Sequence, residues 1–224
     1  VQTCALPICK VNPHPPQREY DMLISVGERI SMSLLAMALC LKGHDAVSFT
    51  GSQSGIITCQ QHGQAHIIDV KPQRIETTLN SGKIAIVAGF QGVSQDKEIT
   101  TLGRGGSDTT AVALGVALNA KRVEFYKDVP GIFSDDPKKN IDAEHFSSLS
   151  YREALAIIEK GAKILHARAI RLAEKNGLPL LVRSFIPSLN SHSGTIVAQK
   201  EIMRSEKPIY ESVSDEKVMH APTL

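Results

Sequence analysis

The chain has 224 residues, 42% of them hydrophobic, which is enough for one domain core and the start of another. Its net charge is +2 with acids and bases interspersed, and only 4% of residues are aromatic, which excludes the basic stripe and stacking platform of a nucleic-acid binder. Leu34 to Leu41, the longest apolar run, is too short to cross a bilayer and no leader opens the sequence, so the expectation is a cytoplasmic protein with no membrane partner.

The opening VQTCALPI fits no element. Reverse-translated in frame it matches a common sequencing adapter, so Val1 to about Cys9 is set aside, and residues 1–19 are expected to be a non-native or disordered start. The cysteines, Cys4, Cys9, Cys40 and Cys59, lack the spacing of a zinc knuckle and read as free thiols. From Asp21 order is expected. GERISMSLLAMALCLKG predicts a helix with Ile30, Leu34, Met37, Ala38 and Leu41 on one face and Gly43 as its stop. DAVSFTG and AHIIDV predict strands, and PQRIETTLNSG a short helix. KIAIVAGFQG predicts one strand buried on both faces. A glycine loop and helix follow to about Asn119, and then the strand RVEFYKDV.

Tyr151 to Gly177 predicts two helices, with a capping box at Ser150 and Glu153, a break at Gly161 and a stop at Asn176-Gly177. LPLLVRSF is the last strand. Strands alternating with helices imply an α/β fold with a largely parallel sheet. After about Gln199 a charged linker with Pro208 is expected, and KVMHAPTL reads as the first strand of something more, so the chain is expected to be cut at both ends.

TLGRGGSDTTAVAL, Thr101 to Leu114, carries the chemistry. It is neither a GxGxxG fingerprint, because Asp108 holds the third glycine's place, nor a P-loop, which needs GK[ST]. Glycines after a strand let backbone N–H groups approach a ligand, and a helix N-terminus favours negative charge. Ser107 is the expected N-cap, and Arg104 offers a planar fork for carboxylate or phosphate. The alternative is a tight turn with Arg104 solvated. Asp108 beside an anion calls for a lysine or magnesium ion to face it, or else it is a second capping residue.

GRGGSDTTAVALGVAL resembles the central motif of aspartate kinases, in the amino-acid kinase superfamily. In order, SVGERISMSLLA resembles that family's Ser-x-Gly-Glu helix start, and YKDVPGIFSDDPK its nucleotide segment. SYREALAIIEKGAKILHARAI resembles its Gly-Ala-Lys-Val-Leu-His-Pro region. The match runs from about Tyr20 to Val197. It implies a layered α/β/α sandwich with a largely parallel central sheet, a kinase domain over residues 20–199, and a linker with the start of an ACT regulatory domain over 200–224.

The implied reaction moves the γ-phosphoryl group of ATP to the side-chain carboxylate of L-aspartate, giving 4-phosphoaspartate, the first step towards lysine, threonine and methionine. By resemblance, Arg104 grips a substrate carboxylate and Glu28 the ammonium; from the residues alone Glu28 reads first as a favourable first-turn charge on the helix dipole. Gly105, Gly106 and Ser107 then lie near the transferred group. Lys163 meets the nucleotide phosphates, and Asp108 orients such lysines. Lys127, Asp128, Phe133, Ser134, Asp135, Asp136, Pro137 and Lys138, with Lys163 and Ile164, hold the nucleotide; the bland readings are an acidic solvated loop and a solvated helix lysine. Magnesium arrives chiefly on ATP oxygens and water, with few or no dedicated protein ligands expected. No general base is required, since a carboxylate is already a nucleophile.

The sequence departs from the family at Lys127, where a threonine is usual, and at His166-Ala167, where the family has His-Pro. Nothing before Asp21 resembles the family's Lys-Phe-Gly-Gly strand, so weak or absent turnover is expected. A homo-oligomer is implied for the full-length protein. Another amino-acid kinase, acting on glutamate, acetylglutamate or a nucleotide, and a non-catalytic nucleotide-binding fragment are the alternatives.

Overall fold

The computed structural model describes residues 8, 10–135, 137, 140–162, 164–186, 193–199 and 207–212. Asp136, Lys138 and Lys163, and the strand expected in KVMHAPTL, lie outside them. The chain divides into two compact units, Val1–Thr110 with Tyr210–Leu224, and Ala111–Ile209.

In the first unit, helix α1 (Gln17–Ile24) turns at Ser25 into α2 (Val26–Leu41), which stops as expected at Gly43, φ 84°. Ile8 is buried against Ile24 and Phe90, with Tyr20 packed on the cluster. The face of α2 marked by Ile30, Leu34, Met37 and Leu41 is exposed, and Met32 is the helix's buried residue. Hydropathy alone would let Gln17–Leu41 pass for a membrane-crossing helix. The turn at Ser25 and the burial of charged Asp21 among polar partners argue against that.

Strand β1 (Ala46–Phe49) pairs in parallel with β4 (Ile84–Val87) as a two-stranded sheet. A second sheet has the order β3 (Ile67–Val70), β2 (Ile56–Thr58), β5 (Gln91–Ser94), β6 (Ile99–Thr101). Its core holds Ile56, Ala65 and Ile67 at 0% exposure, and α3 (Gln73–Asn80) buries Ile75. KIAIVAGFQG, expected as one strand, is therefore two, in different sheets. The break falls at Phe90, whose φ of 70° no strand can contain. The expected two-sided burial also fails: Ile84 is exposed, and Ala85, Ile86 and Val87 are only half-buried. β2 and β6 were not anticipated, because three residues are too few to show a period.

In the second unit, the rest of α4 (Gly106–Ala117) leads to β7 (Val123–Lys127). Strands β8 (Ile132–Phe133) and β9 (His145–Phe146) form a hairpin. β10 (Ser148–Leu149), β12 (Thr195–Val197), β11 (Leu180–Ser184) and β7 form a sheet in that order. Helix α5 (Tyr151–Glu159) begins at the expected capping box. Ser150 Oγ accepts from Glu153 N–H at 3.2 Å, and Glu153 Oε2 accepts from Ser150 N–H at 2.7 Å. Helix α6 (Ala167–Asn176) ends on Gly177 in the left-handed conformation, again as expected. The class is α/β. Parallel ladders join β1–β4, β2–β5, β7–β11 and β10–β12, and antiparallel ladders join the other neighbours, so the two four-stranded sheets are mixed.

Candidate functional site

The glycine loop belongs to the first unit. Gly103 and Gly105 both take φ of 71°, a region that side chains rarely tolerate, and this reverses the chain within four residues. The Gly105 carbonyl accepts from both the N–H and the hydroxyl of Thr109, at 3.0 Å each, so α4 starts at Gly106. Ser107, the expected N-cap, is instead the second helical residue and is exposed. The capping place is held by Gly105, which has no side chain, so no side chain there competes for the first amides of α4. Arg104 is exposed and Asp108 half-buried.

Gly106 is buried because nothing larger fits. A methyl group on it would come within 2.9 Å of Leu102 Cβ and Phe90 Cδ2. Phe90 itself is held in its left-handed conformation from both sides. Its N–H donates to Thr110 Oγ1 at 3.1 Å, and its carbonyl accepts from Leu102 N–H at 2.9 Å. A bulky residue in that region stores strain, which clusters at binding sites. Gly89 passes so near α4 that a methyl there would lie 3.2 Å from Ser107 Oγ.

Glu28 stands in the first turn of α2. Its neighbour Arg29 donates from Nε to Gln91 Oε1 at 3.2 Å, and Gln91 Nε2 donates to the Ser25 carbonyl at 3.0 Å. Gln91 follows Phe90, on which Gly106 packs, so the start of α2 and the glycine loop are tied to the same two residues. Among the described residues, Glu28 Oε2 is buried with no hydrogen-bond partner. Buried polar atoms are rarely left so, because an unmade bond costs about 1–3 kcal/mol.

The nucleotide-segment residues fall in the second unit. Lys127 ends β7; its ammonium lies 5.7 Å from the Phe125 ring centroid, and its carbonyl accepts from Phe185 N–H at 3.0 Å. Asp128 begins the turn that follows. Gly131 is required there, since a methyl would lie 2.4 Å from His145 Nε2 and 2.6 Å from Thr195 Oγ1. Phe133 meets His145 edge-on at 5.1 Å, which braces its ring. Ser134 and Glu144 exchange two hydrogen bonds, and Asp135 accepts from Asn140 Nδ2 at 3.2 Å. Pro137 is exposed and Ile164 half-buried. His166 caps α6, its Nδ1 accepting from Arg168 N–H at 3.3 Å, so Ala167 is the first helical residue. That first helical position suits proline and alanine alike.

The structure thus groups Glu28 with Arg104, Gly105, Gly106, Ser107 and Asp108 in one unit, and Lys127, Asp128, Phe133, Ser134, Asp135, Pro137 and Ile164 in the other. Sequence reasoning missed Phe90 and Asp21. The inversion of φ at Phe90 leaves no periodic trace, and the partners of Asp21 lie 41 to 80 residues away.

The profile of the amino acid kinase family matches residues 6–184, and the chain belongs to that family. It is 47% identical over 194 residues to the aspartokinase of Bacillus sp. (strain MGA3), covering 87% of this chain and 46% of the relative. It is 52% identical over 189 residues to the aspartokinase of Mycolicibacterium smegmatis, covering 84% and 44%. Among solved structures, aspartate kinase from Synechocystis aligns with TM-score 0.74 and 40% identity, over 91% of this chain and 32% of that one. Aspartokinase III of E. coli, in complex with aspartate and ADP, aligns with TM-score 0.71 and 30% identity, over 83% and 42%. UMP kinase from Bacillus anthracis, at 21% identity and TM-score 0.58, shares the fold. The chain spans about half the length of the curated relatives it matches.

Proposed function

We propose that this chain is the catalytic region of an aspartate kinase, which transfers the γ-phosphoryl group of ATP to the side-chain carboxylate of L-aspartate to give 4-phospho-L-aspartate. The carrying observation is Glu28 Oε2, a buried acceptor without a donor among the described residues, tied through Arg29, Gln91 and Phe90 to a glycine loop bearing Arg104. A free amino acid supplies what this arrangement lacks: an ammonium for Glu28 and a carboxylate for the planar fork of Arg104. The naming of the relatives, and the aspartate and ADP bound by the E. coli enzyme, support the same reading.

In this reading the bare backbone of Gly105 and Gly106 gives the phosphoryl group in flight close approach, the Ser107 amide and hydroxyl face it, and the start of α4 favours its negative charge. The second carboxylate of the substrate attacks unaided, so binding and orientation supply most of the acceleration. Asp108 orients a phosphate-facing lysine, for which Lys163 is the choice. The turn after β7, from Lys127 to Lys138, holds the nucleotide, with Ile164 beside it, and Phe133 packs on adenine or ribose. ATP brings magnesium with it, and the ion screens phosphate charge when bound. The protein works in the cytoplasm and, at full length, as a homo-oligomer.

The test is acceptor-dependent ADP release, with hydroxylamine trapping the acyl phosphate as a hydroxamate. L-Aspartate, L-glutamate, N-acetylglutamate and UMP would be compared. Aspartyl hydroxamate, formed slowly with Mg·ATP, is the expected product. ADP release driven by another acceptor, or nucleotide binding with no acceptor consumed, would overturn the proposal in favour of a different kinase or a binding fragment.

A further inference from the structure

Asp21 is fully buried, yet it belongs to no motif and would touch no ligand. An isolated carboxylate inside a protein is very costly unless every lone pair is met. Here they are. His62 Nδ1 donates to Oδ2 at 2.8 Å, Gly63 N–H to both oxygens at 3.1 Å, Thr101 N–H to Oδ2 at 3.1 Å, and the Thr101 hydroxyl to Oδ1 at 2.5 Å. The donors come from the loop after β2 and the end of β6, while the acceptor comes from α1.

What those segments lead to gives the cluster its meaning. The carbonyl of Asp21 accepts from Ser25 N–H at 3.1 Å, and Ser25 turns the chain into α2, where Glu28 stands in the first turn. Thr101 lies two residues before Gly103. Gly63, held by Asp21 through its amide, presents its carbonyl where a methyl on Gly103 would meet it at 3.0 Å. One carboxylate therefore fastens the segment carrying Glu28, the strand that enters the glycine loop carrying Arg104, and Gly63, which packs beside Gly103 in that loop. All of these residues lie in the first unit.

We infer that Asp21 is a positioning residue that sets the spacing between Glu28 and the Gly103–Ser107 loop, and so the affinity for the amino-acid substrate but not for the nucleotide. The inference deepens the proposed function and rests on it for the identity of that substrate. The geometric part stands apart from it: loosening Asp21 frees residues 25–29 and 101–107 together. A residue that merely stabilised the fold would weaken both ligands alike.

The experiment compares the wild-type chain with Asp21→Asn, Thr101→Val and the conservative Thr101→Ser. Hydrogen–deuterium exchange is followed in segments 25–29, 101–107 and, as reference, 123–127 and 167–176. Calorimetry gives dissociation constants for L-aspartate and for ADP. Asp21→Asn is expected to speed exchange in the first two segments at least about tenfold and to weaken aspartate about tenfold, with ADP within about twofold. Thr101→Val should fall between, and Thr101→Ser should match wild type. If Asp21→Asn does not fold, the contrast between the Thr101 variants decides. Equal losses for both ligands, or exchange that rises evenly across all segments, would overturn the inference. Wild-type protein that binds no aspartate but still shows the segment-specific exchange would keep the geometric assignment and sink the substrate reading instead.

Discussion

Glu28 and Phe90 show how single residues trade stability for a site. The bare Oε2 of Glu28 is a cost in the free protein and a gain once a cation arrives. Glu28→Gln keeps the shape and removes the charge. It should weaken L-aspartate about tenfold to a hundredfold, the worth of a charge-assisted bond, and leave nucleotide affinity unchanged. The same variant should hold or raise the unfolding midpoint, because a buried charge without a partner has gone; calorimetry and a thermal melt read the two effects. At Phe90 two terms oppose. Glycine there would relieve about 1–3 kcal/mol of backbone strain. It would also forfeit the about 3–5 kcal/mol that a buried phenyl ring contributes, including its packing on Gly106. Burial wins, so Phe90→Gly should lower unfolding free energy by roughly 2 kcal/mol in a urea titration.

Elements follow local sequence where their ends carry capping chemistry, and depart from it where neighbours decide. The capping box of α5 and the left-handed Gly177 that ends α6 involve residues within four of each other, so both were legible in advance. The face of α2 had the right period for a helix, but period says nothing of what covers it, and Ile30, Leu34, Met37 and Leu41 are exposed. In KIAIVAGFQG the apolar run promised one strand, and a single inverted φ at Phe90 divides it between two sheets. Gly115, inside α4, is a further case. Alanine there would raise helix propensity by about 1 kcal/mol. Its methyl would meet Val123 Cγ2 at 2.6 Å and Leu178 Cδ2 at 3.0 Å, a clash with a stiff β-branched side chain costing about 1–3 kcal/mol. Gly115→Ala should therefore be neutral to destabilising, contrary to the rule for exposed helices, as a denaturant midpoint would record.

For the molecule as a whole, the segment 207–212 returns late in the chain to residues distant in sequence. In the second unit Asn176 clasps Ile209: Nδ2 donates to its carbonyl and Oδ1 accepts from its N–H, each at 2.8 Å. In the first unit Glu211 meets the free edge of β3, with its N–H donating to the Ile67 carbonyl at 3.1 Å and its Oε2 accepting from Ile67 N–H at 2.9 Å. Between them, burial and then the nearby Asp69 push the Tyr210 phenol up to about 12. The sign follows. Below pH 10 the phenol is neutral folded and unfolded, and the stability is fully present; between pH 10 and about 12 only the unfolded chain ionises, so stability is lost as pH rises. Tyr210→Phe should remove that loss, narrowing the alkaline fall by on the order of 1 kcal/mol after solvent screening, as parallel urea titrations at pH 8 and pH 11 would measure.

By itself the sequence determined the family, the α/β class, the capping box of α5 and the glycine stops of α2 and α6, because each of these is written in residues a few positions apart. Caps and glycine stops act through local backbone sterics and need no tertiary partner. The tertiary structure alone decided that Phe90 turns the chain, that Ser107 sits inside α4 rather than capping it, and that Asp21 is met by His62, Gly63 and Thr101. Those outcomes depend on groups brought together from up to 80 residues apart, and on which atoms are left without water once they meet.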